Sequence, residues 1–202
     1  NPDKTDDFFL PDYAGFAEKI TVPGNWELQG HGEPIYTNVL MPWNPNLDEP
    51  CNIVPEKDRP SVPNPPFIPS ANPTGCYRRT FTVPDNFNGK NIYIRFDGVE
   101  ASFYLWINGK PVGYSEDSKL PCEFNITEFL IEGKNLVALQ VMRFSNSTYL
   151  EDQDYWYLSG IYRSVWLVAK PKLCITDYFI KAIPNLPFEN GKFSVDVTVS
   201  RL

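Results

Sequence analysis

Residues 149–167 read YLEDQDYWYLSGIYRSVWL, with Glu151, Asp152 and Asp154 inside four positions and Tyr149, Tyr155, Trp156 and Tyr157 around them. Like charges this close repel, and they persist together only where cations, amides or solvent offset them. Hard cations bind such oxygens, but the glycine and distal glutamate of a calcium loop are missing. That leaves one or two carboxylates for a weakly bound Na⁺ or Mg²⁺ completed by ligands from elsewhere. A carboxylate pair about 5–5.5 Å apart serves retaining glycoside hydrolysis, yet neighbours on one loop seldom face each other across a sugar. Sugar binding is the third use: C–H faces stack on exposed rings while hydroxyls bond to carboxylates. The simpler expectations are a solvated acidic turn for the carboxylates and core packing for Trp156 and Trp166.

Other chemistry finds little support. His31 is the only histidine and no C-x-x-C spacing links Cys51, Cys76, Cys122 and Cys174, which excludes a conventional zinc site. Buried thiols, Cys76 among them, are expected over disulfides in a chain large enough to need no staples. Ser118, Ser159 and His31 form no nucleophile elbow, and neither G-x-G-x-x-G nor a P-loop occurs. Asn125 and Asn146 open glycosylation triplets that matter only in a secretory eukaryotic setting. Net charge is −7 with no basic stripe, so neither nucleic acid nor a membrane is an expected partner. Apolar runs are too short to span a bilayer. The first residues, NPDKTDDFFLPDY, lack the basic and apolar regions of a signal peptide, which leaves the compartment open between cytoplasmic and periplasmic or secreted.

The elements that must hold the acidic segment follow period two. Tyr77, Phe81 and Val83 share a face, as do Ile92, Ile94 and Phe96, then Phe103, Leu105 and Ile107, then Val137, Leu139 and Val141. Asn108-Gly109 supplies a tight hairpin turn. The one helical hint is FNITEFL, where Thr127 is placed to cap a single turn. Prolines crowd residues 42–73, which reads as a long extended loop. Strands with short turns and almost no helix predict an all-β sandwich. After Pro171 come two further strand patterns, KLCITDYFIKAI and FSVDVTVSRL, the second with Phe193, Val195, Val197 and Val199 on one face. Two strands cannot bury a face alone. They are expected to begin a second domain.

Four segments are more specific than pattern: VPGNWELQGHGEPIYTN, NPPFIPSANPTGCYRRTF, FDGVEASFYLWINGKPVGYSEDSKLPCEFNIT and YLEDQDYWYLSGIYRSVWL. In order and spacing they resemble the amino-terminal part of glycoside hydrolase family 2, and in IYTN, NPTGCY and DQDYW its β-galactosidase branch. The resemblance covers Val22 to Pro171. It implies a jelly-roll, galactose-binding-like sandwich over residues 1–171, with residues 172–202 as the first strands of an immunoglobulin-like sandwich. Two catalytic glutamates would lie on a (β/α)₈ barrel outside this sequence, so no catalytic residue is expected within it.

By the same resemblance Asp154, the second aspartate of D-Q-D, binds Na⁺ and galactosyl hydroxyls. Glu100, after F-D-G-V, is a second substrate contact, standing where the best-known members carry asparagine; a carboxylate accepts but does not donate unless protonated. Asp152 and Trp156 are expected to support the loop. Na⁺, with Mg²⁺ as a further candidate, would belong to the full-length enzyme and neither to this segment alone. The implied partners are a β-galactoside, the barrel and immunoglobulin-like domains of the same polypeptide, and further copies in a homo-oligomer. Three alternatives stay open: a stand-alone carbohydrate-binding module, a structural domain that builds subunit contacts, and the same domain of a β-glucuronidase.

Overall fold

The computed structural model describes residues 7–15, 18–37, 41, 65–66, 68, 72–151 and 153–201. Most of the proline-rich stretch 42–73, and Asp152, therefore lie outside the described residues. Eleven strands are described: β1 (Ile35–Thr37), β2 (Thr74–Thr82), β3 (Asn91–Phe96), β4 (Ser102–Ile107), β5 (Lys110–Glu116), β6 (Cys122–Asn125), β7 (Lys134–Met142), β8 (Tyr155–Tyr157), β9 (Val165–Lys170), β10 (Leu173–Pro184) and β11 (Gly191–Arg201). They form a four-stranded sheet β2-β7-β4-β5, a three-stranded sheet β6-β3-β9, and two ribbons, β1-β8 and β10-β11. Every pairing is antiparallel.

The expected alternation is what closes the sandwich. Ile92, Ile94 and Phe96 of β3 are buried against Phe103, Leu105 and Ile107 of β4 and Val137, Leu139 and Val141 of β7. Strand β7 is covered on both faces, because Leu136, Ala138 and Gln140 are buried as well. Asn108 and Gly109 both take positive φ, 52° and 81°, and turn β4 back onto β5. The sequence is thus an all-β, jelly-roll-type sandwich, as expected.

Thr127 departs from expectation. The turn Thr127–Phe129 is a 3₁₀ helix whose N-cap is Ile126, with no side-chain cap. The Thr127 hydroxyl instead accepts the Ile92 N–H at 2.8 Å, satisfying the strand edge that the turn abuts. Cys122 and Cys174 are free thiols. No helix of the described residues is long and apolar enough to cross a membrane.

Candidate functional site

The three carboxylates of the opening segment separate into different roles. A 3₁₀ turn, Asn146–Tyr149, is fixed by a capping box in which Ser145 and Thr148 satisfy each other's backbone N–H groups. The Ser147 carbonyl within it takes the amides of both Leu150, at 2.8 Å, and Glu151, at 2.9 Å. From there the Glu151 carboxylate accepts both the N–H of Ser118, at 2.7 Å, and its hydroxyl, at 2.6 Å. Glu151 is therefore a tie between loops and not a solvated charge. The Tyr155 hydroxyl donates to the Glu151 carbonyl at 2.7 Å and ties the bend at Asp154 back to the 3₁₀ turn.

Asp154 emerges from that bend at the start of β8. Strand β8 pairs with β1 so that Tyr36 stands opposite Trp156. Opposed residues of an antiparallel pair point to the same face. The two rings lie 5.5 Å apart, and 50% of Tyr36 and 56% of Trp156 remain exposed. The Tyr36 hydroxyl donates to Asp154 Oδ1 at 2.5 Å. That bond, then loss of hydration, then the aspartate charge push the phenol above its ordinary value. An exposed carboxylate thus sits beside a two-ring aromatic surface, which corrects the expectation of core packing for Trp156. The physical reason is that β8 pairs with the three-residue strand β1 and lies on neither large sheet.

Glu100 occupies a different setting. Its backbone pairs with Gly160 through two 3.0 Å hydrogen bonds, and the residue is buried. Its carboxylate accepts from Lys119 Nζ at 2.5 Å. Burial pushes the Glu100 carboxyl above its usual range; the Lys119 bond and charge oppose this, while Glu151 and Glu27 reinforce it. Lys119 also lies over the rings of Tyr155, at 4.5 Å, and Tyr162, at 5.5 Å. Asp154 and Glu100 are accordingly not in direct contact through any hydrogen bond of the described residues. They are linked by the chain Glu100, Lys119, Tyr155, the last being the neighbour of Asp154.

Below the ribbon lies a buried ion pair that the sequence reading did not find. Arg143, just after β7, faces Glu27 at 3.5 Å, with side chains 2% and 0% exposed. The opposite Glu27 oxygen accepts the Ser159 N–H at 2.8 Å. Nη2 of Arg143 donates to the carbonyls of Glu33 and Tyr157. Beside Glu27, burial drives the Tyr77 phenol well above its ordinary value, with the glutamate charge as the next cause. A charge ending the apolar run LVALQVM, and another inside NWELQ, were the available signals.

Trp166 is likewise exposed, at 54%, because β9 turns it to the outer face of the three-stranded sheet. Its indole N–H donates to Asp97 Oδ2, and Arg95 holds Oδ1. Both bonds hold the Asp97 carboxyl below the usual range, the indole bond more strongly. A shallow groove of about 510 Å³ runs along this face, lined in part by Phe87, Lys90, Arg95 and Asp97.

Among the described residues no group of three His, Cys, Asp or Glu could hold a metal ion. Asp154 and the Tyr36 hydroxyl offer two hard oxygens side by side. Both are oxygen donors of the type hard cations take.

With this geometry in place, comparison with known proteins separates the sandwich from other jelly rolls. The family model described as glycosyl hydrolases family 2, sugar binding domain, matches residues 2–171. The chain belongs to this family. This chain is 43% identical over 193 residues to a β-galactosidase of Vibrio cholerae, covering 95% of this chain and 17% of the relative. To a β-galactosidase of Pseudoalteromonas haloplanktis it is 47% identical over 168 residues, 83% of this chain and 14% of that one. This chain thus spans about a sixth of the length of the curated relatives it matches. Among solved structures it is similar to a β-glucuronidase of Bacteroides uniformis, with a TM-score of 0.57 and 31% identity over 63% of this chain and 16% of that one.

Proposed function

We propose that this family 2 domain is the amino-terminal head of a retaining β-galactosidase acting on terminal, non-reducing β-D-galactose. In this reading it lends Asp154 to an active site whose acid and nucleophile lie on a barrel elsewhere in the whole protein. The supporting observation is the exposed Asp154 carboxylate at the end of a ribbon, with Tyr36 and Trp156 beside it. A rigidly presented carboxylate fixes a galactosyl hydroxyl and lowers the entropic part of the barrier. Asp154 and Tyr36 would contribute oxygens to Na⁺, which would offset the carboxylate charge and orient the sugar hydroxyl.

Glu100 belongs to the same reading. Its carboxylate is already bound to Lys119, so a hydroxyl arriving there meets an ion pair that both donates and accepts, as an asparagine would. The other partner is the rest of the same polypeptide. The ribbon β10-β11 is read as the start of its immunoglobulin-like domain.

The β-glucuronidase reading has one observation in its favour, the likeness to the Bacteroides uniformis structure. Likeness to the β-galactosidases is higher in identity and covers more of this chain, and it decides the proposal. A panel of nitrophenyl glycosides on the full-length protein tests it. Turnover of the β-galactoside supports the reading; turnover of the β-glucuronide alone overturns it.

A further inference from the structure

We infer that the buried Glu27–Arg143 pair is a positioning device for Asp154, in which a single guanidinium holds both strands of the ribbon that presents it. The inference rests on the reading of Asp154 given above. Strands β1 and β8 pair over only three residues each. A two-stranded ribbon so short is marginal in water. Among the described residues the apolar cluster beside it holds Met41 and Phe144, buried, with Ile35, Ile68 and Tyr149 packed against them. Directed bonds from the sandwich add to the ladder bonds and this apolar area in fixing the ribbon.

Arg143 is placed to do so. It follows β7, a central strand of the four-stranded sheet, and its backbone N–H is held by the Pro73 carbonyl at 2.9 Å. Nη2 donates to the carbonyl of Glu33, two residues before β1, at 2.9 Å. It also donates to the carbonyl of Tyr157, the last residue of β8, at 3.0 Å. Both strands are therefore tied to one nitrogen.

Glu27 completes the clamp. One oxygen faces Nη1 and the other takes the Ser159 N–H. The Ser159 carbonyl is held in turn by Trp26 N–H at 3.1 Å and Asn25 Nδ2 at 3.3 Å. The chain is thus gripped on the carbonyl of Tyr157 and on both backbone groups of Ser159, three to five residues beyond Asp154. Planar guanidinium geometry suits two carbonyls and a carboxylate at once, whereas a lysine ammonium is a point donor. A buried ion pair is a weak way to add stability, because desolvation cancels most of the attraction. The Nη1–Oε1 contact at 3.5 Å is an ion pair without a hydrogen bond, Glu27 Oε1 having no hydrogen-bond partner among the described residues. The directed bonds are those from Nη2 to the two carbonyls and from Ser159 N–H to the other Glu27 oxygen, and they converge on the ribbon.

The experiment uses the 202-residue chain, with NMR of Tyr36 as reporter. The wild-type Tyr36 ring should show contacts to the Trp156 ring. The test is the double variant Glu27→Gln with Arg143→Met, which leaves no buried charge unpaired. It should lose the Tyr36–Trp156 contacts while the Phe96–Phe103 contacts of the core survive. Arg143→Lys alone, which keeps a cation but not the planar fork, should retain part of the Tyr36–Trp156 contacts.

A double variant that keeps the Tyr36–Trp156 contacts as in wild type overturns the inference. So does one in which core and ribbon contacts vanish together, since the pair would then hold the whole sandwich. Failure of the Asp154 reading would appear separately, as unaltered turnover by Asp154→Asn in the full-length enzyme.

Discussion

The molecule carries two ribbons built on opposite plans. In β1-β8 three short pairs leave two rings and a carboxylate in solvent, and the position comes from the buried pair of Glu27 and Arg143 beneath. The β10-β11 ribbon is long and regular, broken only by a shift between Ile175 and Asp177. Its register sets Tyr178 opposite Val197, Ile180 opposite Val195 and Ala182 opposite Phe193, which makes one face wholly apolar. That face is exposed: Tyr178, Ile180, Phe193 and Val197 all keep half or more of their surface. Length and regular pairing do not by themselves cover a face, and a short ribbon can be held firmly by a few directed bonds.

The largest effect should come from breaking the clamp on one side only. Arg143→Met strands the Glu27 carboxylate without a counter-charge, which costs about 3–5 kcal/mol by the usual behaviour of buried pairs. Urea unfolding of the chain measures it, and Glu27→Gln added to the same variant should recover most of the loss. Next is the core. Leu105→Ala removes a side chain left 1% exposed and should cost about 2–5 kcal/mol.

The same kind of truncation on the long ribbon, Val197→Ala, should stay within about 0.5 kcal/mol in this chain. In the full-length protein it should cost more, if a further domain covers that face. Equal costs in both settings would contradict the domain reading.

A smaller effect separates two carboxylates by pH. Glu100 is raised in the folded state, so its contribution is fully present below the ordinary glutamate value and is lost as pH rises through the raised one. Asp97 is lowered, so its contribution is present above the ordinary aspartate value and is lost as pH falls through the lowered one. Glu100→Gln should flatten the decline on the rising side, and Asp97→Asn the decline on the acid side. Stability curves from well below the ordinary aspartate value up to neutrality check both signs.

Much of the sandwich was legible because alternation is local. Ile92, Ile94 and Phe96, or Phe103, Leu105 and Ile107, announce a half-buried strand within six residues, and Asn108-Gly109 announces its turn. The site was legible only in part. Pairing of Tyr36 with Trp156 spans 120 positions, and no local period encodes it. Trp156 and Trp166 invited a core assignment by size, yet β8 and the outer face of β9 leave both exposed. Residue type and spacing alone did not separate Glu151 from Asp154; the resemblance singled out Asp154, and the Ser118 loop folded against Glu151 shows why that carboxylate is a tie. Thr127 was misjudged because a strand-edge amide competes with the cap for its hydroxyl.

The central claim is that Asp154 touches the sugar and its cation. The direct test is steady-state kinetics of Asp154→Asn in the full-length enzyme across a range of Na⁺ concentrations, with a β-galactoside as substrate. The account predicts a fall in kcat/KM and a weakened dependence on Na⁺. A variant with wild-type kcat/KM and an unchanged Na⁺ response would contradict it.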